Sequence, residues 1–452
     1  MHLRSNDFAH NGRANAKLKA NGNPIFLRCK FHHGAQRGIV VCDQSLGTFI
    51  DCDVFANQQS GIKISGGGNP KFSRCRVYDG SSAGILVHNG GEGCFEDNQI
   101  YHNKLTGIEI RQRGNPKLLR NHIYDSHGCG VFVHSGGSGL LSENHVRNNR
   151  RTGIKIKSGA APTIHGNHVF DGLSVGITIK DSHAIIENND IYANAKGGIR
   201  IRGESISQVR GNRIHNCGSY GIQIVEGAGI IEHVRRSVCS PTLLIAHSCR
   251  VVSCRVVSCR VQPQNRIYAN LCSNILVTKA SSPTIERNRI YASAKCGVIF
   301  DGADGAFRHN RVYKNHRIGV KIIRNANPIL THNQVRNNLG HGIEIKNASG
   351  IVSANDIGGN RLSGICISGR AANPIVLKNQ IHHAHGQGVL VLDDARGSIE
   401  QNVLYRNKGG HLELALASPA LVHLRNNELP STPTAALLDS PLLQREQPED
   451  ET

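Results

Sequence analysis

At 452 residues and a formal charge of +20, the chain is long enough for two or three ordinary domains and is biased toward acidic partners. Tryptophan is absent and no apolar run reaches the roughly 18 residues of a membrane span, which speaks against a transmembrane helix and against a base-stacking nucleic-acid platform. No hydrophobic leader follows Met1, and the 14 cysteines form neither a zinc-finger spacing nor a disulfide framework, so a reducing, cytoplasmic or nuclear setting is expected.

A repeat overrides the length-based domain count. It begins near Ser5, where "SNDFAHNGRANAKL" is a degenerate copy of the later repeats. No cap is recognisable before it, and solenoids need one, so the N-terminus is expected to be incomplete or covered by a partner. Cys29, Cys52 and Cys75 then recur 23 residues apart. From there asparagine takes the slot, at Asn98, Asn121, Asn144, Asn167, Asn189, Asn212, Asn265, Asn288, Asn310, Asn333, Asn355, Asn379 and Asn402. The steps are 22 to 24 residues with a single step of 53. A second ladder of Gly followed by an aliphatic runs through Gly38, Gly61, Gly84, Gly107, Gly130 and Gly153 and resumes at Gly297, Gly319, Gly342 and Gly364.

After each such glycine the chain alternates, as in Gly61-Ile62-Lys63-Ile64, which is the signature of a strand with one buried face. One repeat is too short for a strand–helix–strand unit of about 30 residues. It fits a coil of three short strands stacked on the next coil. The expected fold is therefore all-β, a right-handed parallel β-helix of about 17 coils. The asparagines are expected to stack between coils and satisfy backbone groups at a bend, and the glycines to allow positive φ there. Asp79, Asp125 and Asp171, each 46 residues apart after a Tyr or Phe, read as turn residues, with Gly80 and Gly172 taking the unusual dihedral. Pro24, Pro70, Pro116 and Pro162 are also 46 apart, so the repeating module is two coils.

The 53-residue step holds an extra segment, Val234–Gln264. Joining His233 to Asn265 restores "IIEHNRIYAN" in register. The segment carries Cys239, Cys249, Cys254 and Cys259 and reads as an extruded loop, as an unspliced intron translated in frame, or as a zinc or redox loop. The β-helix domain is thus expected over 5–429, interrupted by 234–264, with 430–452 as a disordered acidic tail.

Part of the charge forms a stripe. The outward slot after Gly-Ile holds Lys63, Glu109, Lys155, Arg200 and Lys321 in alternate coils, and Lys157, Arg202 and Lys346 extend it along the strands. Such a row reads as solvated, solubilising charge or as a groove for an acidic protein segment or another polyanion. Catalysis would need converging acids. The 25 histidines, among them His88, His102, His122, His134, His145 and His168, follow the repeat phase as surface residues do, without HxH or HExxH spacing. No metal and no cofactor is expected.

The segments "NPKLLRNHIYDSHGCGVFVHSGGSGLLSENHVRNN" (Asn115–Asn149) and "NPIVLKNQIHHAHGQGVLVLDDARGSIEQNVLYRN" (Asn373–Asn407) resemble the repeat modules of β-helix F-box proteins. That resemblance covers most of Asn23 to Asn427, though no F-box segment precedes the coils in this sequence. It implies a substrate-recognition or adaptor surface, with a protein partner and ubiquitin-ligase subunits as expected company. The wider pectin-lyase-like fold implies the alternative, a carbohydrate-binding protein or a polysaccharide lyase or glycoside hydrolase. Gly340-His341-Gly342 resembles a polygalacturonase tripeptide, with Asp393-Asp394 after it instead of before it.

Overall fold

The computed structural model describes residues 1–226, 230–232, 264–415 and 422–429. The expected insertion, apart from Gln264, and the expected tail lie outside them. Every described element is a β-strand of three or four residues, and no helix among them is long and apolar enough to cross a membrane.

The local reason is the alternation. Ile62 and Ile64 are buried while Lys63 between them stays partly exposed. One coil consists of Cys94–Glu96, Gln99–Tyr101 and Ile108–Arg111. Each strand pairs in parallel with its equivalent in the next coil, so that Phe95 faces Leu118, Ile100 faces Ile123 and Ile108 faces Val131. The three strands of each coil thus build three parallel sheets, and the solenoid has about 17 turns in all.

The chain divides into two compact units, Met1–Asn270 with Pro283–Arg289, and Leu271–Ser282 with Ile290–Thr452. In the first unit the core is a set of like-on-like stacks. Phe26, Phe49, Phe72 and Phe95 pile with centroids 4.7, 4.3 and 5.1 Å apart, followed in register by Leu118, Leu141 and Ile164. The second unit repeats the pattern with Leu330, Val352 and Val376. Each fully buried side chain of this size stabilises by about 1.5–3 kcal/mol.

Asparagine fills the slot because its amide does two jobs at once. The Asn144 side-chain oxygen accepts from the Asn121 backbone N–H at 2.9 Å and from the Asn121 side-chain amide at 2.9 Å. Its own amide nitrogen donates to Leu118 O and to Asn167 Oδ1, both at 2.9 Å. The same relay runs in the second unit from Asn333 through Asn355 and Asn379 to Asn402, and on to Asn427. In the first unit the Asn212 backbone N–H donates directly to Asn265 Oδ1 at 2.9 Å, so the 53-residue step spans a single coil. Cys75 occupies the same slot, with its thiol taking the Cys52 N–H at 3.4 Å.

A second asparagine ladder, not read from the sequence, lies at the next bend. Asn103, Asn149 and Asn194 accept the backbone N–H of Gly80, Ser126 and Gly172 at 3.2, 3.1 and 3.1 Å. Beside Asn103 the preceding coil holds Gly80, where a Cβ would lie 3.0 Å from Asn103 Oδ1. In the second unit the same position is asparagine in consecutive coils, where Asn338 accepts the Asn315 N–H at 3.2 Å and Asn360 accepts the Asn338 N–H at 3.0 Å.

Two dihedral expectations are corrected. The positive φ belongs to Asp79, Asp125 and Asp171 (53°, 53° and 50°), while Gly80 and Gly172 are not left-handed. Likewise the ladder glycines have ordinary φ. They are glycines because coils approach too closely for a side chain. A Cβ on Gly130 would lie 2.5 Å from Val146 Cγ1 and 2.7 Å from Gly153 O. Gly130→Ala is accordingly expected to destabilise by about 1–3 kcal/mol through overpacking, with no gain from reduced backbone freedom. A shift of the urea midpoint to lower concentration tests this; an unchanged or raised midpoint would contradict it.

Candidate functional site

The outward positions of the third sheet place the charge stripe. Within the first unit, successive coils present Lys63, Leu86, Glu109, Phe132, Lys155, Thr178 and Arg200 in register. Lys63 is therefore separated from Lys155 by two apolar residues and one acid. Glu109 is itself engaged, with His134 Nε2 at 3.1 Å and Arg111 Nε at 3.4 Å. Lys321 and Lys346 belong to the second unit, where Lys321 is paired with Glu344 at 2.9 Å.

Two residues further along each strand, a denser row appears. Arg111 lies beside His134, Lys157 beside Lys180, and Lys180 beside Arg202. These basic residues sit in consecutive coils. Lys180, Arg111 and His134 were missed from the sequence because attention to alternate coils hides a row that runs through every coil. Together Lys155, Lys157, Lys180, Arg200 and Arg202 put five cations on three adjacent strands, Ile154–Lys157, Ile177–Lys180 and Ile199–Arg202.

Compensation is weak. Among the described residues no carboxylate lies within ion-pair distance of Lys63, Lys155, Lys157 or Arg202, and Lys180 reaches only Asp181, at 3.9 Å. Lys155 and Lys157 instead hold their ammonium groups 5.4 Å from the Phe132 ring centre, a contact worth about 0.5–1 kcal/mol at an exposed site. Arg200 Nε donates to Gln223 Oε1 at 2.8 Å. Burial, and then the neighbouring Arg202, pull the Arg200 guanidinium below its usual pKa. The guanidinium stays charged at neutral pH, so the field over these strands is positive.

A single model for the right handed beta helix region matches residues 1–121, 60–183, 106–262, 251–352 and 296–438 in overlapping copies. The chain belongs to the right-handed β-helix family. Among solved structures the β-helix is similar to the mannuronan C-5 epimerase AlgE4 A-module of Azotobacter vinelandii, at 13% identity over 82% of this chain and 88% of that one, with a TM-score of 0.32. It is similar also to the periplasmic alginate epimerase AlgG, at 14% identity, 86% and 78% coverage and a TM-score of 0.24. The bacteriophage CBA120 tailspike protein 3 matches at 10% identity, 91% and 57% coverage and a TM-score of 0.25. The comparison with curated proteins finds no match.

Other features singled out in the sequence have structural partners in the β-helix. His341 Nδ1 accepts the Ser363 N–H at 3.2 Å, and Arg370 pairs with Asp394 at 3.5 Å. The tyrosines of the second sheet form an outward ladder, His32–Phe55–Tyr78–Tyr101–Tyr124, with centroids 4.5 to 5.0 Å apart. These rings stack on each other within 15°, so their faces are occupied and only edges and hydroxyls look outward. The ladder is a packing device for the coils.

Proposed function

We propose that this β-helix is a binding scaffold for an extended linear polyanion, an anionic polysaccharide of uronic-acid type, held on the third sheet of its first unit. The observation that carries this reading is the weakly compensated lattice of Lys155, Lys157, Lys180, Arg200 and Arg202 on three adjacent, in-register strands, in which Lys180 alone meets a carboxylate, Asp181 at 3.9 Å. Adjacent coils are about 4.8 Å apart, and the two cation rows are about 6.6 Å apart along the strands.

The spacing selects the polymer. In a 1→4-linked uronic-acid chain each ring carries one carboxylate, and an extended two-fold chain turns successive carboxylates to opposite sides at a rise comparable to the step between coils. A chain lying between the rows then meets Lys155 on one side, Lys180 on the other in the next coil, and Arg200 back on the first side. Thr178, the neutral residue of the first row, falls where that zigzag asks for no cation, while Lys157 and Arg202 add charge on the second row beyond it. An extended peptide advances about 3.3 Å per residue, and its same-side carboxylates, about 6.6 Å apart, drift out of step with the coils.

Titration calorimetry with oligogalacturonate and with poly-glutamate of equal charge, at low salt, tests the assignment. The uronate is expected to bind at least about tenfold more tightly, a difference of about 1.4 kcal/mol. Tighter binding of poly-glutamate would return the face to an acidic protein segment, the partner a substrate receptor would take. Binding of neither would end the polyanion reading.

A further inference from the structure

The cation lattice on the third sheet of the first unit is finite, and its two ends differ chemically. Beyond Arg200 and Arg202 the next strand, Ile222–Val225, sets Gln223 beside Arg200 and Val225 beside Arg202. Gln223 already accepts from Arg200 Nε at 2.8 Å, and Val225 is buried. That strand offers a carboxylate no cation.

At the other end, the strand before Ile154–Lys157 is Val131–His134, which sets Phe132 beside Lys155. His134 holds the second-row position of that strand, beside Arg111. Both of its ring nitrogens have partners, Nε2 at 3.1 Å from Glu109 and Nδ1 at 2.9 Å from Ser135 Oγ. Its ring also stacks on Phe132, with centroids 4.3 Å apart. One coil further back, Glu109 stands in the first row beside Phe132. Its carboxylate lies 3.4 Å from Arg111 Nε. Glu109 thus puts a negative charge into the cation row and engages the guanidinium that would otherwise extend the second row.

We propose that this face is matched to a short run of three uronate residues and that Glu109 is the residue that limits its length, an inference that rests on the polyanion reading above. The zigzag places successive carboxylates at Arg200, Lys180 and Lys155. A fourth falls at His134, whose nitrogens are taken. A fifth falls at Glu109, a group of its own sign, and like charges set face to face are unfavourable. The opposite phase of the zigzag passes Lys157, Thr178 and Arg202 and meets a neutral residue at its centre. One phase alone therefore gives three consecutive cations. A longer chain gains no further cation in either direction within the first unit.

The test is calorimetric titration of the full chain, at low salt, with oligogalacturonates of graded length from the dimer to the hexamer. Affinity should rise by about two- to fivefold from dimer to trimer, the worth of one exposed charge contact, and then stay within about twofold up to the hexamer. Glu109→Lys places a cation where the fifth carboxylate falls. It should move the largest gain to the step from tetramer to pentamer, again by about two- to fivefold, with the circular dichroism spectrum unchanged. Glu109→Gln removes the charge without adding one and keeps the side chain's size, so it reads the same effect if the lysine disturbs the fold. It should raise the pentamer relative to the trimer by a smaller factor. An affinity that climbs steadily from trimer to hexamer in the unaltered protein would overturn the length limit and leave the polyanion reading standing. So would a pentamer-to-trimer ratio that neither substitution moves. Binding of no oligomer at all would overturn both.

Discussion

Asn144→Ala is expected to lower stability by about 3–4 kcal/mol, because buried groups left without partners cost about 1–3 kcal/mol each. The substitution removes the acceptor of the Asn121 backbone N–H and one donor to Leu118 O. It also takes one of two partners from the Asn121 amide, which keeps Phe95 O, and from the Asn167 oxygen, which keeps the backbone N–H of residue 144. All these groups are buried, so water cannot replace the lost amide. In a solenoid each coil touches only its neighbours, so the loss should split the unfolding transition of the first unit as well as shift it. Urea unfolding followed by circular dichroism tests this. Asn402→Ala should cost less, because its amide bonds the partly exposed Asn427 near the end of the ladder. Equal and negligible shifts at both positions would mean the ladder holds nothing together.

The second large effect concerns binding. Reversing Lys155 and Arg200 to Glu together should reduce affinity for a uronate oligomer by about 100-fold or more, which corresponds to about 2.8 kcal/mol. The two residues lie in the same row two coils apart, with Thr178 between them. The change converts two attractive contacts into two repulsive ones. Both side chains point outward from strands whose inward residues, Ile154, Ile156, Ile199 and Ile201, are untouched and buried, so the urea midpoint should move little. Reversing Lys63 should matter much less, because Leu86, Glu109 and Phe132 stand between it and the lattice.

Most of the fold was legible because a solenoid writes its geometry as a period. Asn98 to Asn402, read 22 to 24 residues apart, gave the coil length and the in-register stacking that Asn121, Asn144 and Asn167 display. What the period hides is which physical constraint fixes a residue. Gly130 and Asp79 illustrate it. Both recur at bends, and the glycine suggests a dihedral requirement. Yet the aspartate takes φ of 53° and the glycine answers to a neighbouring carbonyl and valine. The second asparagine ladder was obscured in the first unit because Gly80, Ser126 and Gly172 interrupt it in every other coil.

The candidate site was half legible for a similar reason. Lys155, Lys157, Arg200 and Arg202 stood out as repeats of one motif, but Lys180 follows Ile-Thr-Ile and escaped a search for Ile-Lys-Ile. Its contribution appears only when Lys157, Lys180 and Arg202 are seen side by side. His122, His145 and His168, spaced 23 apart, read from the sequence as surface residues. That their rings meet at 4.9 Å and share a depression with Glu143 depends on side-chain direction, which spacing alone does not give.

The most direct test of the polyanion assignment is the salt dependence of uronate binding. The logarithm of the association constant should fall linearly with the logarithm of salt concentration, because cations on the third sheet displace counterions from the polymer. Each of Lys155, Lys180 and Arg200 neutralised to Gln or Met should make that slope shallower by up to about one, whereas neutralising Lys63 should leave it unchanged. A binding constant indifferent to salt, or a slope that the three substitutions do not alter, would contradict the account.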